Sequence, residues 1–536
     1  MHTERLMADA AGIDRAAELL RSGTLVAIPT ETVYGLAANA LDAAAVEKIF
    51  AAKGRPQDNP LIVHIAAWEE LSPLVWEVPD SAGRLAEAFW PGPLTMVFKR
   101  SDRIPEPVSA GLDTVAVRLP AHPVARRIIE KAGVPLAAPS ANRSGAPSPT
   151  TAAHVLQDMD GKIAAVVDGG VCDVGVESTV VALDGEKPIL LRPGGITLEQ
   201  LREVLGEVEI APAVLEKMET GERAASPGMK YKHYAPKAAV TIVDASPEEY
   251  ADYVNKKADG FALCFAEDKA DLRIPAVDFG TRYDSGAQAR RLFQALYELD
   301  ELGAKQVYAR MPSKNGVGLA VYNRLIRAAG FQVINPNGHH IIGLTGASGT
   351  GKTTVAGAFA ALGCAVIDCD ALTRSVAVYD SVCLQELAAA FGKEVLLQDG
   401  TLHRKLLAQR AFATKEKKQR LEEIVFPRIR GAMDCEIAQA LAGGAKLIVI
   451  DAPTLFESGF DRACGRIVAV TAGREEKITR IMQRDSLTRE EAENRLAAQY
   501  TDDFYVQRAD HIVSGNGGYD LIKRLTPLVK GLLDKC

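Results

Sequence analysis

The chain has eight cysteines but no C-x-x-C pair and no His/Cys cluster at zinc spacing, so nothing in their placement calls for a structural metal or a disulfide framework. Free thiols in a reducing compartment are expected. No run of about 18 apolar residues occurs, which excludes a membrane-spanning helix. The stretch from Met1 to Asp14 carries charges and lacks the apolar core of a signal peptide, so a cytoplasmic protein without a membrane partner is expected. Positive charge is not in excess either. The net charge of −7 argues against a surface that coats nucleic acid, although a local basic cleft remains compatible with it. Internal repeats and low-complexity tracts are absent. What remains is an ordinary globular composition, 47% hydrophobic and 24% charged, spread over 536 residues. That length exceeds one core and predicts three or four domains.

The most informative segment that is present is Gly346-Ala-Ser-Gly-Thr-Gly-Lys352-Thr353. It fits G-x-x-x-x-G-K-[ST], with an apolar strand predicted before it (Ile341–Thr345) and a helix after it (Thr354–Leu362). Such a loop points backbone N–H groups at phosphate oxygens. Gly346, Ser348, Gly349, Thr350, Gly351, Lys352, Thr353 and Thr354 are therefore expected around ATP. Lys352 would reach the β/γ-phosphates, and the Thr353 hydroxyl would ligand the Mg²⁺ that accompanies the nucleotide.

Upstream, short apolar runs alternate with helical patterns. Strands are predicted at Leu25–Ile28, Leu61–Ile65, Leu94–Phe98, Val115–Leu119, Ala164–Asp168 and Ser178–Leu183. Helices are predicted at Asp42–Ala52 and Pro123–Lys131. The stretch RAASPGMKYKHYAP, from Arg223, breaks this pattern as a linker. A smaller α/β unit follows, and Asn335-Pro-Asn-Gly338 is a turn-rich joint. The expected organisation is an α/β multidomain chain: a domain over 1–222, a linker or lid over 223–237, a small α/β domain over 238–336 and a P-loop domain over 339–536.

Residues 1–240 place many polar side chains at predicted strand ends, where α/β sheets bind ligands. They include Pro29-Thr-Glu-Thr-Val-Tyr-Gly35, Lys53-Gly-Arg55, Asn59, His64, Arg118, Ser140-Ala-Asn142, Glu177-Ser-Thr179 and Arg192-Pro-Gly-Gly195. Cations beside hydroxyl and amide donors suit a polyphosphate. Taken singly, each is equally at home in a solvated loop, and Lys53 with Arg55 could merely satisfy a helix C-terminus.

In this order the strings PTETVYGL, Lys-x-Arg, FWPGPLT, Ser-x-Asn and VESTVV resemble the YrdC-type family of threonylcarbamoyl-adenylate synthases. The resemblance covers roughly residues 10–335, and SPGMKYKHYAP with GVGLAVYNRLIRAAG is similar to its longer, two-domain form. It implies a twisted open α/β sheet around a deep cleft, followed by a small Rossmann-like domain. The implied reaction condenses L-threonine, bicarbonate and ATP into threonylcarbamoyl-adenylate and pyrophosphate. Separate proteins would then use the product to modify tRNA, leaving tRNA an indirect partner. By the same resemblance, Lys53 and Arg55 serve catalysis and ATP, joined on the nucleotide by Asn59, Thr114, Ser140, Asn142, Ser148 and Arg192. Tyr231 and His233 would close over it as a lid. Thr32, His64, Arg118 and Ser178 would hold threonine. An RNA-binding module gripping structured RNA is the alternative for this half.

A P-loop alone names no acceptor. Downstream, Ala365-Val-Ile-Asp368-Cys-Asp370, Gly400-Thr-Leu-His-Arg404, Asp451-Ala-Pro-Thr-Leu-Phe-Glu457 and Arg480-Ile-Met-Gln-Arg484 resemble dephospho-coenzyme A kinase across 340–536. The resemblance implies a P-loop NTPase fold with a helical lid over 474–499. It places Asp370 as the carboxylate on the acceptor hydroxyl, Asp368 and Arg404 on dephospho-coenzyme A, and Arg484 on ATP. Phe426-Pro427 stands where the family usually carries His-Pro, DAPT replaces DVPL, and Ala347-Ser348 replaces a common Gly-Ile. A kinase of another acceptor, such as a nucleoside, and a degenerate nucleotide-binding domain stay open on the residues alone.

Overall fold

A computed structural model of the protein describes residues 2–216, 234–516 and 518–534. Most of the expected 223–237 linker, with Tyr231 and His233, lies outside the described residues. The chain divides into two compact units, one of Met1–Val243 with Val254–Ile334, the other of Asp244–Tyr253 with Asn335–Cys536.

The first unit is built on an eleven-stranded mixed sheet. Its strands are β1 (Glu4–Met7), β2 (Val26–Ile28), β3 (Gly35–Asn39), β4 (Ile62–His64), β5 (Leu94–Lys99), β6 (Thr114–Arg118), β7 (Leu136–Ala137), β8 (Ala165–Asp168), β9 (Thr179–Ala182), β10 (Ile189–Arg192) and β11 (Glu209–Ile210). They lie in the order β1-β8-β2-β3-β7-β4-β6-β5-β9-β10-β11. Central strands are buried along their whole length, as near-continuous apolar runs require when both faces are covered. Register then decides the chemistry. His64 pairs with Arg118 across the parallel β4–β6 ladder, and Thr95 pairs with the same Arg118 across antiparallel β5–β6. Leu94 and Thr179 are partners on β5–β9. The ends of four strands therefore converge on one spot.

β1 and β3 precede or interrupt the predicted order. Three of the four residues of β1 are exposed at the sheet edge, so it carries no apolar signal. β3 reads Gly-Leu-Ala-Ala-Asn, poor in the β-branched residues that mark a strand. The helix Ala43–Lys53 starts where Asp42 accepts from the N–H groups of Ala44 and Ala45, and stops at Gly54, whose φ of 59° ends it in a left-handed cap.

A second, wholly parallel sheet in this unit comprises β12 (Ala239–Val243), β13 (Phe261–Cys264), β14 (Ala276–Asp278), β15 (Gln306–Arg310) and β16 (Val333–Ile334), ordered β14-β13-β15-β12-β16. This is the small Rossmann-like domain expected. Every residue of its helix Gly318–Ala328 is buried. Arg324, with no exposed surface, reaches Glu177 at 2.7 Å and the carbonyl of Pro193 at 2.7 Å. The small domain thus supplies a counter-charge beneath the first sheet.

The second unit holds a parallel sheet of β17 (His340–Thr345), β18 (Ala365–Asp368), β19 (Leu447–Asp451), β20 (Arg466–Thr471) and β21 (His511–Ser514), ordered β18-β19-β17-β20-β21. The helix after the P-loop runs Lys352–Ala361, two residues earlier than predicted, which puts Lys352 and Thr353 in its first turn. Helices Arg474–Asp485 and Arg489–Ala497 form the expected pair within 474–499. Among the described residues no helix is long and apolar enough to cross a membrane.

Candidate functional sites

In the first unit a cleft is lined by Thr32, Lys53, Arg55, His64, Arg118, Ser140, Asn142, Ser178 and Arg192, among others. Residues far apart in sequence are tied together there. The buried Lys53 ammonium donates to the carbonyl oxygens of Ser140 and Asn142, and lies 3.5 Å from the Asn142 amide oxygen. Burial and the neighbouring Arg55 push its pKa well below the usual lysine value. Lys53 therefore holds the Ser-x-Asn loop rather than projecting free into the cleft. Arg55 donates to the carbonyls of Asn59 and Pro60 at 3.3 and 3.0 Å.

Arg118 is buried at the end of β6. Its guanidinium sits 2.6 Å from Glu31, donates to the Thr32 hydroxyl at 2.9 Å and to the carbonyl of Gly92 at 3.3 Å. Burial pushes the Glu31 carboxyl up, but Arg118 and backbone N–H groups outweigh it and hold the pKa below the ordinary value. His64, buried against the same arginine, is pushed down to about 3 and is neutral at physiological pH. Ser178 contacts the Thr95 hydroxyl at 2.8 Å and accepts from Arg192 at 3.1 Å. Arg192 donates again to the Ser178 carbonyl.

Three expected residues stand apart from this lining. Thr114 begins β6 and pairs with Lys99, at the opposite strand end from Arg118, about 13 Å away at the usual rise of a strand. Ser148 is buried behind the cleft and hydrogen-bonds Glu177. Asn59 is also buried, and its side-chain amide has no partner among the described residues.

Glu31, Glu177 and Tyr234 received no role from the sequence, although all three lie inside recognised strings. Glu177 lines the cleft between Arg324 and Arg192, which outweigh its burial and keep it ionised. Tyr234 also lines it, at a φ of 64° that side chains rarely adopt, with its ring 5.6 Å from the Arg324 guanidinium. A carboxylate in the loop after β2 or just before β9, or a tyrosine within the expected linker, has no spacing that would single it out.

In the second unit the P-loop glycines sit where side chains do not fit. Gly346 (φ 140°) leaves a Cβ 2.3 Å from the Val470 carbonyl oxygen, and Gly349 (φ 78°) one 2.6 Å from that of Lys477. Lys352 donates to the Gly346 carbonyl at 2.8 Å. Gln499 clasps Ser348, accepting from its N–H at 2.9 Å and donating to its hydroxyl at 3.0 Å. Thr353 and Thr354 are exposed in the first turn of the helix, and Thr350 is buried beneath the loop.

Register brings Asp368 beside Asp451 on adjacent strands. Asp368 caps the helix Cys369–Tyr379 by accepting from Ala371 N–H at 2.9 Å. Asp370, in the first turn of that helix, is exposed and lines a cavity of about 560 Å³ together with Arg404, Phe426 and Gln499. Burial pushes Asp451 up to about 6, against the pull of Lys352. Arg484 is held by Asp485 at 3.0 and 2.8 Å, a carboxylate that also pairs with Arg495.

Comparison with known proteins matches three stretches of the chain. A family model described as telomere recombination covers residues 18–194, a threonylcarbamoyl-AMP synthase C-terminal domain 196–330, and dephospho-CoA kinase 340–520. Threonylcarbamoyl-AMP synthase of Pyrococcus abyssi is 48% identical over 60% of this chain and 94% of its own length. Dephospho-CoA kinase of Arabidopsis thaliana is 39% identical over 34% of this chain and 78% of its own. The chain is a fusion, belonging to both families. The crystal structure of Pyrococcus abyssi Sua5 complexed with L-threonine superposes with a TM-score of 0.58 at 45% identity, covering 62% of this chain and 99% of that one. The two synthase matches span the residues that line the first unit's cleft, and the kinase match spans the P-loop and the residues of the large cavity.

Proposed function

We propose that the chain is a bifunctional enzyme. Its first activity joins L-threonine, bicarbonate and ATP into threonylcarbamoyl-adenylate with release of pyrophosphate, for later use in tRNA modification. Its second phosphorylates the 3′-hydroxyl of dephospho-coenzyme A. For the synthase, the observation that carries the reading is the single cleft that gathers Lys53–Asn142, Arg118–Glu31 and Arg192–Ser178.

Arg118 donates to Thr32 and Gly92 and pairs with the Glu31 carboxylate, and its remaining N–H donors are those we assign to the threonine carboxylate. Neutral His64 adds no second charge beside it. Threonine's amine adds to bicarbonate to give a carbamate as water departs. A carbamate oxygen then attacks the α-phosphorus of ATP, and the bond to pyrophosphate breaks. Positive potential from Arg55, Arg192 and the buried Lys53 offsets the charge that develops, and positioning supplies the rest. Release of pyrophosphate that requires both threonine and bicarbonate tests this. Equal release without threonine would overturn it.

In the kinase, Lys352 and the P-loop N–H groups hold the donor phosphates. Mg²⁺ fits the residues present: Thr353 offers a hydroxyl in the first helical turn, and Asp451 has a buried carboxylate oxygen without a hydrogen-bond partner. Bound there, the ion would neutralise phosphate charge as it transfers. Asp370 faces the cavity and takes the proton of the acceptor hydroxyl as its oxygen attacks the γ-phosphorus and ADP leaves. Asp370→Asn should lower turnover about a hundredfold while ATP still binds. Wild-type turnover in that variant would move the role to Asp368 or Asp451. Assays against dephospho-coenzyme A, AMP and nucleosides decide the acceptor.

A further inference from the structure

All three tryptophans of the chain fall between positions 68 and 90, and two of them line one cleft that is separate from the synthase cleft. The ring centroids of Trp68 and Trp90 are 6.0 Å apart with the planes at 67°, two walls of a corner. Gly83, Ala86 and Leu119 form the rest of the apolar surface, and Glu87 is the one charged lining residue. The cleft measures about 370 Å³. The Trp90 indole N–H is committed to the Leu94 carbonyl at 2.7 Å, which fixes that ring. A Cβ on Gly83 would meet nothing within 4 Å, so this wall is open to an occupant. Arg84, the cation on the same helix (Asp80–Phe89), donates instead to the Val204 carbonyl.

We propose that this cleft binds an organic cation, an ammonium or guanidinium group. A cation seated in the corner the two rings form lies within cation–π range of the indoles that line it, and the Glu87 carboxylate supplies its counter-charge. Anionic ligands are repelled by that carboxylate. A purely apolar ligand would desolvate it without compensation. A nucleic-acid base could stack on the rings, but its phosphates would meet Glu87 and the exposed Glu69 beside Trp68. The cation can arrive as a free polyamine or as a lysine or arginine side chain of another protein.

Tryptophan fluorescence reports from this region alone. The full-length protein is titrated with spermidine, with tetramethylammonium, and with a peptide of alternating glycine and lysine. Sodium chloride at matched ionic strength, a glycine–glutamate peptide and a single-stranded oligonucleotide serve as controls. A saturable change with the cations only is expected. It should weaken about tenfold in Glu87→Gln, an exposed helix position, and in Trp68→Leu, where Trp90 still reports. Tighter binding of the peptide than of spermidine would identify a protein as the source, and the reverse a free amine. No saturable response to any cation, an equal response to the oligonucleotide, or unchanged affinity in both variants would overturn the proposal.

Discussion

The ammonium of Lys53 donates to the backbone carbonyl of Asn142, so the end of one helix and a loop beyond β7 form a single piece. The same ammonium reaches the Ser140 carbonyl. Lys53→Met should leave these buried carbonyls unpaired, at a cost of about 2–3 kcal/mol in the first unit. Threonine-dependent pyrophosphate release should fall at least a hundredfold as the loop loses its place, with dephospho-coenzyme A phosphorylation unchanged. Chemical denaturation and the two assays measure this. A variant that retains synthase turnover would show that the loop holds itself.

Glu31 and Glu177 lead to a prediction about acid. Both carboxyls are held below their ordinary pKa by buried arginines. Groups with a depressed folded pKa stabilise above the unfolded value, near 4.3, and lose that contribution as pH falls through the folded one. Glu31→Gln should therefore destabilise the protein at neutral pH by about 3–5 kcal/mol, because Arg118 is left buried without its counter-charge. The KM for threonine should rise with it. At pH 3 the difference from wild type should shrink. His64, already neutral, should contribute no limb to the synthase pH profile between 5.5 and 8. An inflection there that vanishes in His64→Gln would contradict its burial.

Much of this was readable from residue pattern, for reasons that also explain the gaps. Central strands such as β6 and β9 are apolar because both faces are covered, so their runs were visible. β1 and β3 escaped because an exposed edge strand and a Gly/Ala-rich strand lack that signature. Motif strings placed Lys53, Asn142, Arg118 and Arg192 in one cleft. They could not say that Lys53 points at backbone carbonyls, or that Arg324, about 150 residues downstream of Glu177, would pair with it. Those contacts depend on tertiary packing, to which local pattern is blind. Asp368 was expected on the acceptor, and the structure adds that its carboxylate caps the helix Cys369–Tyr379.

Asp451 titrates in an accessible window. Burial raises its pKa to about 6, so its native state binds a proton more readily than the unfolded chain between roughly pH 4 and 6. Stability of the second unit should rise slightly as pH falls through that window. Activity should move the other way, because a protonated carboxyl cannot help hold Mg²⁺. Kinase kcat/KM should decline below about pH 6, less steeply at high Mg²⁺, since the ion favours the ionised form. Asp451→Asn should abolish the limb and raise the Mg²⁺ requirement. A limb that persists in this variant belongs to another group.

Phe426 lines the cavity that also holds Asp370 and Arg404, the cavity proposed for the acceptor, and by the resemblance to the kinases it stands where a histidine is expected. Its ring packs 6.5 Å from that of Phe460, so this part of the wall is apolar and offers the acceptor no hydrogen bond. An imidazole of similar shape would restore a donor there, and one hydrogen bond contributes about 1 kcal/mol, roughly fivefold in affinity. Phe426→His should therefore raise kcat/KM for dephospho-coenzyme A about fivefold. The KM for ATP should stay constant, since the P-loop is held by Lys352 and Gln499 and not by Phe426. Lost contact with Phe460 should lower stability by no more than about 1.5 kcal/mol. Steady-state kinetics with each substrate varied in turn separate the two effects. If the substitution lowers kcat/KM for dephospho-coenzyme A, the apolar wall is itself part of acceptor recognition, and the cavity is shaped for Phe426 rather than in spite of it.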